Sequence, residues 1–326
     1  MIAFMKTILL TNKYTGKPLQ IVLSEVPEGF EIRFLSEQTQ KALQTEAADA
    51  DYILAGGRLK ITREVLEGAE KLRMIQRSGV GLDALDLDAI REKGIPLYVN
   101  QGVNAQSAAE YTLLLILSCL RKLTTIDRNT KNGIWKKQDQ GVETFELKGR
   151  TVGIIGMGSI AKILTGLLKP FHTQILYYNR TRQSLDFEAE NNMRFVGLDE
   201  LLENSDIVTI HCALTAETRN LINADSIRKM KDGAVLVNTA RGEMIDPYAL
   251  ADALNRKKLA YAALDVHRME PIASDYPLKE IENVILTPHI AGITADSFRT
   301  MMHDAFLNIA SFEHGDLQTI APYRYL

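Results

Sequence analysis

The chain is poor in cysteine, in net charge and in long apolar runs, and each shortage excludes a class of protein. Two cysteines in 326 residues, Cys119 and Cys212, are too few for a disulfide framework or a cysteine-rich metal site. Both lie in apolar stretches and read as buried core thiols, and no metal site is expected. A net charge of −3 leaves no broad basic footprint for nucleic acid. The most apolar run, YTLLLILSCL at 111–120, is too short to span a bilayer. The opening residues, MIAFMKTILLTN, lack a full signal-peptide apolar region and a small-residue cleavage site. Neither repeats nor a low-complexity linker are visible. The expectation is a soluble cytoplasmic protein with no nucleic-acid or membrane partner, long enough for two domains.

Short β-rich runs alternate with helical patterns, which argues for α/β architecture with parallel sheets. A first series offers TILLTN (7–12), EIRFL (31–35), DYILA (51–55), LRMIQ (72–76) and IPLYV (95–99). Asn104 then suits the N-cap of a long apolar helix. A second series runs TVGIIG (151–156), QILYY (174–178), MRFV (193–196), DIVTIH (206–211), AVLVNT (234–239), AYAALDV (260–266) and NVILT (283–287). The last helical stretch, from about Thr294 to Glu313, has no sheet of its own and is expected to return to the first domain.

The second series begins at GIIGMGSIAK, with Gly156, Gly158 and Ala161 spaced as G-x-G-x-x-A. Gly156 allows the tight turn after the strand, Gly158 lets backbone approach a pyrophosphate, and Ala161 lets the helix pack close to the sheet. The N–H groups of Ser159 and Ile160, backed by the helix dipole, then face the phosphates, beside Met157. A strand before, a helix after and a second strand about 20 residues on give the pattern its specificity for a dinucleotide.

At the end of that second strand, where an Asp or Glu holds the adenine ribose hydroxyls of NAD, stand Asn179, Arg180, Thr181 and Arg182. A carboxylate would repel a 2′-phosphate. Arg180 and Arg182 can pair with one, and Asn179 and Thr181 can hydrogen-bond it. NADP is therefore the expected cofactor. The alternative is NAD, with its ribose on Asn179 and both arginines solvated.

Ligands in open parallel sheets bind outside the carboxyl ends of the strands. Arg241 follows AVLVNT, Glu270 follows AYAALDV and His289 follows NVILT. A planar cationic fork can bind a carboxylate and polarise a carbonyl. An imidazole can give a proton to that carbonyl oxygen, or take one from a hydroxyl. A carboxylate can fix the imidazole tautomer. The set suits hydride exchange between a nicotinamide and a small 2-oxo or 2-hydroxy acid.

The stretches RSGVGLDALD, NAQSAAEYTLLLIL, ELKGRTVGIIGMGSIA, HCALTAETRNLIN, VLVNTARGEMID, ALDVHRMEP and LTPHIAG together resemble the D-isomer-specific 2-hydroxyacid dehydrogenase family. The resemblance implies two doubly wound parallel-sheet domains. A Rossmann dinucleotide-binding domain, 104–290, is inserted in a flavodoxin-like substrate domain, 1–103 and 291–326. It implies that Arg241, Glu270 and His289 are catalytic, and that backbone N–H groups around Ser78, Gly79, Val80 and Gly81 hold the substrate carboxylate. It places Asp265 near the nicotinamide carboxamide, Thr112 near the pyrophosphate and Ala240 in the cofactor wall. The helix beginning at Asn104 would serve both the hinge and the interface of a homodimer. His267 stands where an aromatic residue is more usual, Tyr111 where a His is, and Ala213 and Ala216 where Pro is common. His267 is not taken as the catalytic imidazole, because His289 carries the Thr-Pro-His context, and His211 reads as structural. Glyoxylate and hydroxypyruvate are candidate substrates. Two other readings are a phosphoglycerate dehydrogenase-like enzyme and a dinucleotide-sensing regulator of the same fold. In the first, Arg77 meets a substrate phosphate, unless it is a surface arginine.

Overall fold

The computed structural model describes residues 5–57 and 59–326. The chain divides into two compact units. One is the chain up to Asn104 together with Thr294–Leu326, and the other is Ala105–Ile293.

The first unit holds a parallel sheet of β1 (Lys6–Leu10), β2 (Phe30–Phe34), β3 (Tyr52–Ala55), β4 (Met74–Arg77) and β5 (Leu97–Val99). Its order, β2-β1-β3-β4-β5, is that of flavodoxin-like doubly wound sheets. The helix Ala295–Glu313 starts at a capping box. The Thr294 hydroxyl accepts from the Ser297 N–H, and the Ser297 side chain accepts from the Thr294 N–H. Its Phe298, Met302, Ala305, Phe306 and Ile309 share a buried cluster with Ile8, Leu10, Tyr52 and Tyr98.

The second unit holds β6 (Thr151–Ile155), β7 (Gln174–Tyr178), β8 (Met193–Phe195), β9 (Ile207–Ile210), β10 (Ala234–Asn238), β11 (Leu259–Leu264) and β12 (Val284–Leu286). All pair in parallel in the order β12-β11-β10-β9-β6-β7-β8. This is the Rossmann order extended by one strand, and the switch point lies between β6 and β9. Helices cover both faces, so the central strands are apolar throughout rather than alternating; β10 is buried at all five positions. The helix Ala105–Leu120 packs Leu115, Ile116 and Cys119 into one cluster with Val152 and Ile154 of β6 and Leu164 of the helix Ser159–Leu168. Truncating Leu115, Ile116, Ile154 or Leu164 to Ala costs about 2–5 kcal/mol. Among the described residues, no helix is long and apolar enough to cross a membrane.

Only one of the two cysteines is a core thiol. Cys119 is buried, whereas Cys212 is partly exposed, because it sits where the chain leaves β9. Burial, opposed by a backbone hydrogen bond and the Arg180 charge, still pushes the Cys212 thiol up to about 11.

Candidate active site

Parallel pairing puts the ends of β12, β11 and β10 side by side, so His289, Glu270 and Arg241 leave three adjacent strands on the same edge. His289 Nδ1 lies 2.9 Å from Glu270 Oε2. The other carboxylate oxygen, Oε1, accepts the His267 N–H at 3.0 Å. Burial alone would raise the Glu270 pKa. The bonds from His289 and the His267 N–H, and the charge of both rings, outweigh it and hold the carboxyl below its ordinary value. With Nδ1 turned to Glu270, Nε2 has no hydrogen-bond partner among the described residues and can serve a ligand, and the side chain is half exposed.

Asp265 shapes the loop that carries His289. It is fully buried. Its carboxylate accepts from the Thr287 hydroxyl at 2.6 Å, the Ile290 N–H at 3.0 Å and the Ala291 N–H at 2.8 Å. Its carbonyl accepts the His289 N–H at 2.8 Å. These four bonds hold His289 at φ 58, a left-handed conformation that costs a non-glycine residue of order 1–3 kcal/mol and persists only where its surroundings impose it.

Arg241 is positioned by two residues that no motif announces. Asn238 ends β10 fully buried; its Nδ2 donates to the Arg241 carbonyl at 2.8 Å, and its Oδ1 accepts the Ala240 N–H at 2.9 Å. Gly242 lies against the next loop so closely that a Cβ there would sit 2.1 Å from the His267 carbonyl carbon. The loops after β10 and β11 thus nest backbone on backbone. The sequence signal for Asn238 is an amide closing an otherwise apolar strand; Gly242 has none beyond being glycine. Arg241 Nη1 also donates to the Ala240 carbonyl at 2.7 Å.

The other two histidines of this edge do not compete with His289. His267 is buried, donates its backbone N–H to Glu270, meets the Thr287 carbonyl through Nε2 at 3.0 Å and packs edge-on against Tyr276. His211 meets the Thr209 hydroxyl at 3.0 Å, and burial lowers its pKa to about 4.

The Gly loop fits a pyrophosphate. Gly156 has φ 94, and a Cβ there would lie 2.5 Å from the Cys212 nitrogen, so only glycine turns here. Gly158 faces open space, and the helix Ser159–Leu168 starting after it has no side-chain cap. Its first N–H groups, Ser159 and Ile160 among them, are left for an anion. Met157 donates its N–H to Asn179 Oδ1 at 3.3 Å, which ties the Gly loop to the end of β7. Thr112 is fully buried. Its hydroxyl donates to the Ala108 carbonyl at 2.8 Å and meets the Thr239 hydroxyl at 3.0 Å, fastening the helix Ala105–Leu120 to the residue before Ala240.

The structure separates the two arginines after β7. Arg182 is not a free fork. Its Nε and Nη2 donate to the two oxygens of Glu188 at 2.8 and 2.7 Å. Arg180 is exposed, with no hydrogen-bond or ion-pair partner among the described residues, and its charge reaches Cys212 and Glu217. Asn179 Nδ2 donates to the Thr181 carbonyl at 2.8 Å, so this amide organises the turn.

In the first unit, Ser78, Gly79, Val80 and Gly81 follow β4. The Ser78 N–H and hydroxyl both donate to the Ala55 carbonyl, at 3.1 and 3.2 Å. Arg77 fits neither expectation for it. It is buried, and its guanidinium donates to the carbonyls of Gly81 at 2.7 Å, Ala55 at 3.0 Å and Gly56. Its fork braces the 78–81 loop from below.

Comparison with known proteins fixes the class. A family model described as D-isomer specific 2-hydroxyacid dehydrogenase, NAD binding domain, matches residues 113–291. A glyoxylate reductase of Korarchaeum cryptofilum is 34% identical over 300 residues, covering 90% of each chain. A hydroxypyruvate reductase of Thermotoga maritima is 35% identical over 272 residues, 82% of this chain and 87% of that one. D-lactate dehydrogenase from Aquifex aeolicus, solved with NAD and lactic acid, superposes with a TM-score of 0.85 at 28% identity, covering 98% of each chain. The chain belongs to the D-isomer-specific 2-hydroxyacid dehydrogenase family. It is an oxidoreductase with an NAD-binding domain.

Proposed function

We propose that the protein reduces a small 2-oxo acid, glyoxylate or hydroxypyruvate, with NADPH preferred over NADH, as a cytoplasmic homodimer. The observation that carries this reading is the 2.9 Å contact between His289 Nδ1 and Glu270 Oε2, one strand away from the Arg241 loop. On this reading Arg241 grips the carboxylate and polarises the carbonyl, and His289 delivers a proton from Nε2 to the carbonyl oxygen. Glu270 stays anionic, holds the Nδ1 proton and steadies the imidazolium. The backbone around Ser78, Gly79, Val80 and Gly81 is assigned to the substrate carboxylate, which makes the first unit the substrate domain and the second the cofactor domain. A bound reduced nicotinamide supplies the hydride.

The substrate assignment leans on relatives named glyoxylate reductase and hydroxypyruvate reductase. The preference for NADPH rests on Asn179 where NAD enzymes carry an acid, and on the exposed Arg180 beside it. The homodimer is supported by Leu123, Ile134, Trp135, Val142 and Phe145, all exposed apolar side chains of one 23-residue stretch. Both cysteines are free, as suits a reducing compartment. A panel of glyoxylate, hydroxypyruvate, pyruvate and 3-phosphohydroxypyruvate, each with NADPH and NADH, tests the reading. The highest kcat/KM is expected with glyoxylate or hydroxypyruvate and NADPH. A best rate with the phosphorylated acid would instead favour the phosphoglycerate dehydrogenase-like alternative, for which the buried Arg77 offers no phosphate ligand.

A further inference from the structure

Two arginines leave the turn after β7, and only Arg182 is paired with a carboxylate among the described residues. Arg182 is gripped at both Nε and Nη2 by Glu188. Glu188 is itself buried and also accepts the Tyr177 hydroxyl at 2.7 Å. Tyr177 in turn accepts the Gln183 N–H at 2.8 Å, next to Arg182 in the chain. The guanidinium further lies over the Phe195 ring at 5.9 Å. Backbone, phenol, carboxylate and fork form one closed set that turns Arg182 toward the helix Leu185–Glu190. Arg180, two residues earlier, has no such partner.

We propose that Glu188 is a specificity-determining residue: by holding Arg182 it limits the adenosine end to a single cation, Arg180, for a 2′-phosphate. This rests on the reading of the 179–182 turn as the 2′-phosphate site. Glu188 and a phosphate compete for one guanidinium. Glu188 takes the Nε/Nη2 edge of the guanidinium and neutralises its charge, so a phosphate monoester is left only the Nη1 side of an already paired cation. While Glu188 is anionic and buried beside it, Arg182 has no reason to exchange that partner for a solvated one. The chain therefore discriminates between the two dinucleotides less steeply than its two arginines suggest.

The test uses Glu188→Gln, which keeps the shape and the acceptor for Tyr177 but sets an amide donor against Nη2. Binding of 2′,5′-ADP and of ADP to the whole protein is followed by titration calorimetry. Alongside it, the ratio of kcat/KM for NADPH to that for NADH is measured. Glu188→Gln should tighten 2′,5′-ADP by roughly tenfold and leave ADP within about twofold. The cofactor ratio should rise through KM for NADPH, with kcat unchanged. The double variant Glu188→Gln/Arg182→Ala should lose the gain. A merely structural role for Glu188 would weaken both probes together without moving the ratio, and that result would overturn the proposal. So would a gain that survives in the double variant. Failure of the NADPH reading itself shows separately, as an Arg180→Ala variant that binds 2′,5′-ADP as well as the parent.

Discussion

His289 and Glu270 meet at 2.9 Å although they lie 19 positions apart in the chain, and the backbone N–H of His267 holds the second oxygen of the same carboxylate. Glu270 is thus fixed on one side before it orients the imidazole on the other. Replacing it with Gln removes the negative charge that steadies a protonated ring. The alkaline limb of the kcat/KM profile for reduction should move to lower pH, by about one unit. Steady-state rates across pH 5–10 check this; an unmoved limb would count against the pair.

Asp265 spends its carboxylate on Thr287, Ile290 and Ala291. Asp265→Ala leaves the buried Ala291 N–H unpaired, at about 1–3 kcal/mol, removes the acceptor of the half-buried Thr287 and Ile290 donors as well, and frees His289 from its left-handed backbone. The variant should melt several degrees lower and lose turnover through kcat. Amide hydrogen exchange across 287–291 should quicken more than across β6.

Gly242 tests the nesting of the two strand-end loops. Ala at this position would put a methyl 2.1 Å from the His267 carbonyl carbon and 2.5 Å from the Arg268 nitrogen, both backbone atoms that cannot swing aside. Gly242→Ala should therefore push the Arg241 loop away from Glu270. KM for the oxo acid should rise by about tenfold or more, while ADP binding at the Gly loop stays near the parent value in calorimetry.

The Arg182 bond holds the Glu188 carboxyl at a pKa of about 2, with help from Tyr177 and against its burial. A folded-state pKa below the unfolded one stabilises the fold above the unfolded value, and that contribution is lost as pH falls toward the folded value. Glu188→Gln should thus lower the thermal midpoint at pH 7. The gap to the parent should narrow between pH 5 and pH 3. A gap constant over that window would contradict the ion pair.

The fold was legible because parallel sheets covered on both faces write their strands as continuous apolar runs; each of the twelve runs read from the sequence is a strand. The Gly loop was legible because steric crowding at Gly156 leaves no other residue possible there. Partner choice among polar side chains was not. Whether Arg182 faces a ligand or Glu188 depends on a turn closed by Asn179 and Thr181, and nothing in the order of residues shows its direction. The same holds for Arg77, which reads as a strand-end charge and instead turns inward to three carbonyls. Asn238 and Gly242 escaped because their roles lie in backbone-to-backbone fit.

On the proposed reading, the imidazole of His289, oriented by Glu270, moves the proton in a nicotinamide-dependent reduction of a 2-oxo acid. The most direct measurement is oxidation of NADPH and NADH with glyoxylate and hydroxypyruvate by the parent and by His289→Ala, with cofactor affinity measured on both by fluorescence titration. The expected result is turnover by the parent, a loss of about 10²–10⁴-fold in kcat for the variant, and unchanged cofactor affinity. No oxidation of either cofactor by the parent, or a variant whose cofactor affinity falls as far as its rate, would contradict it.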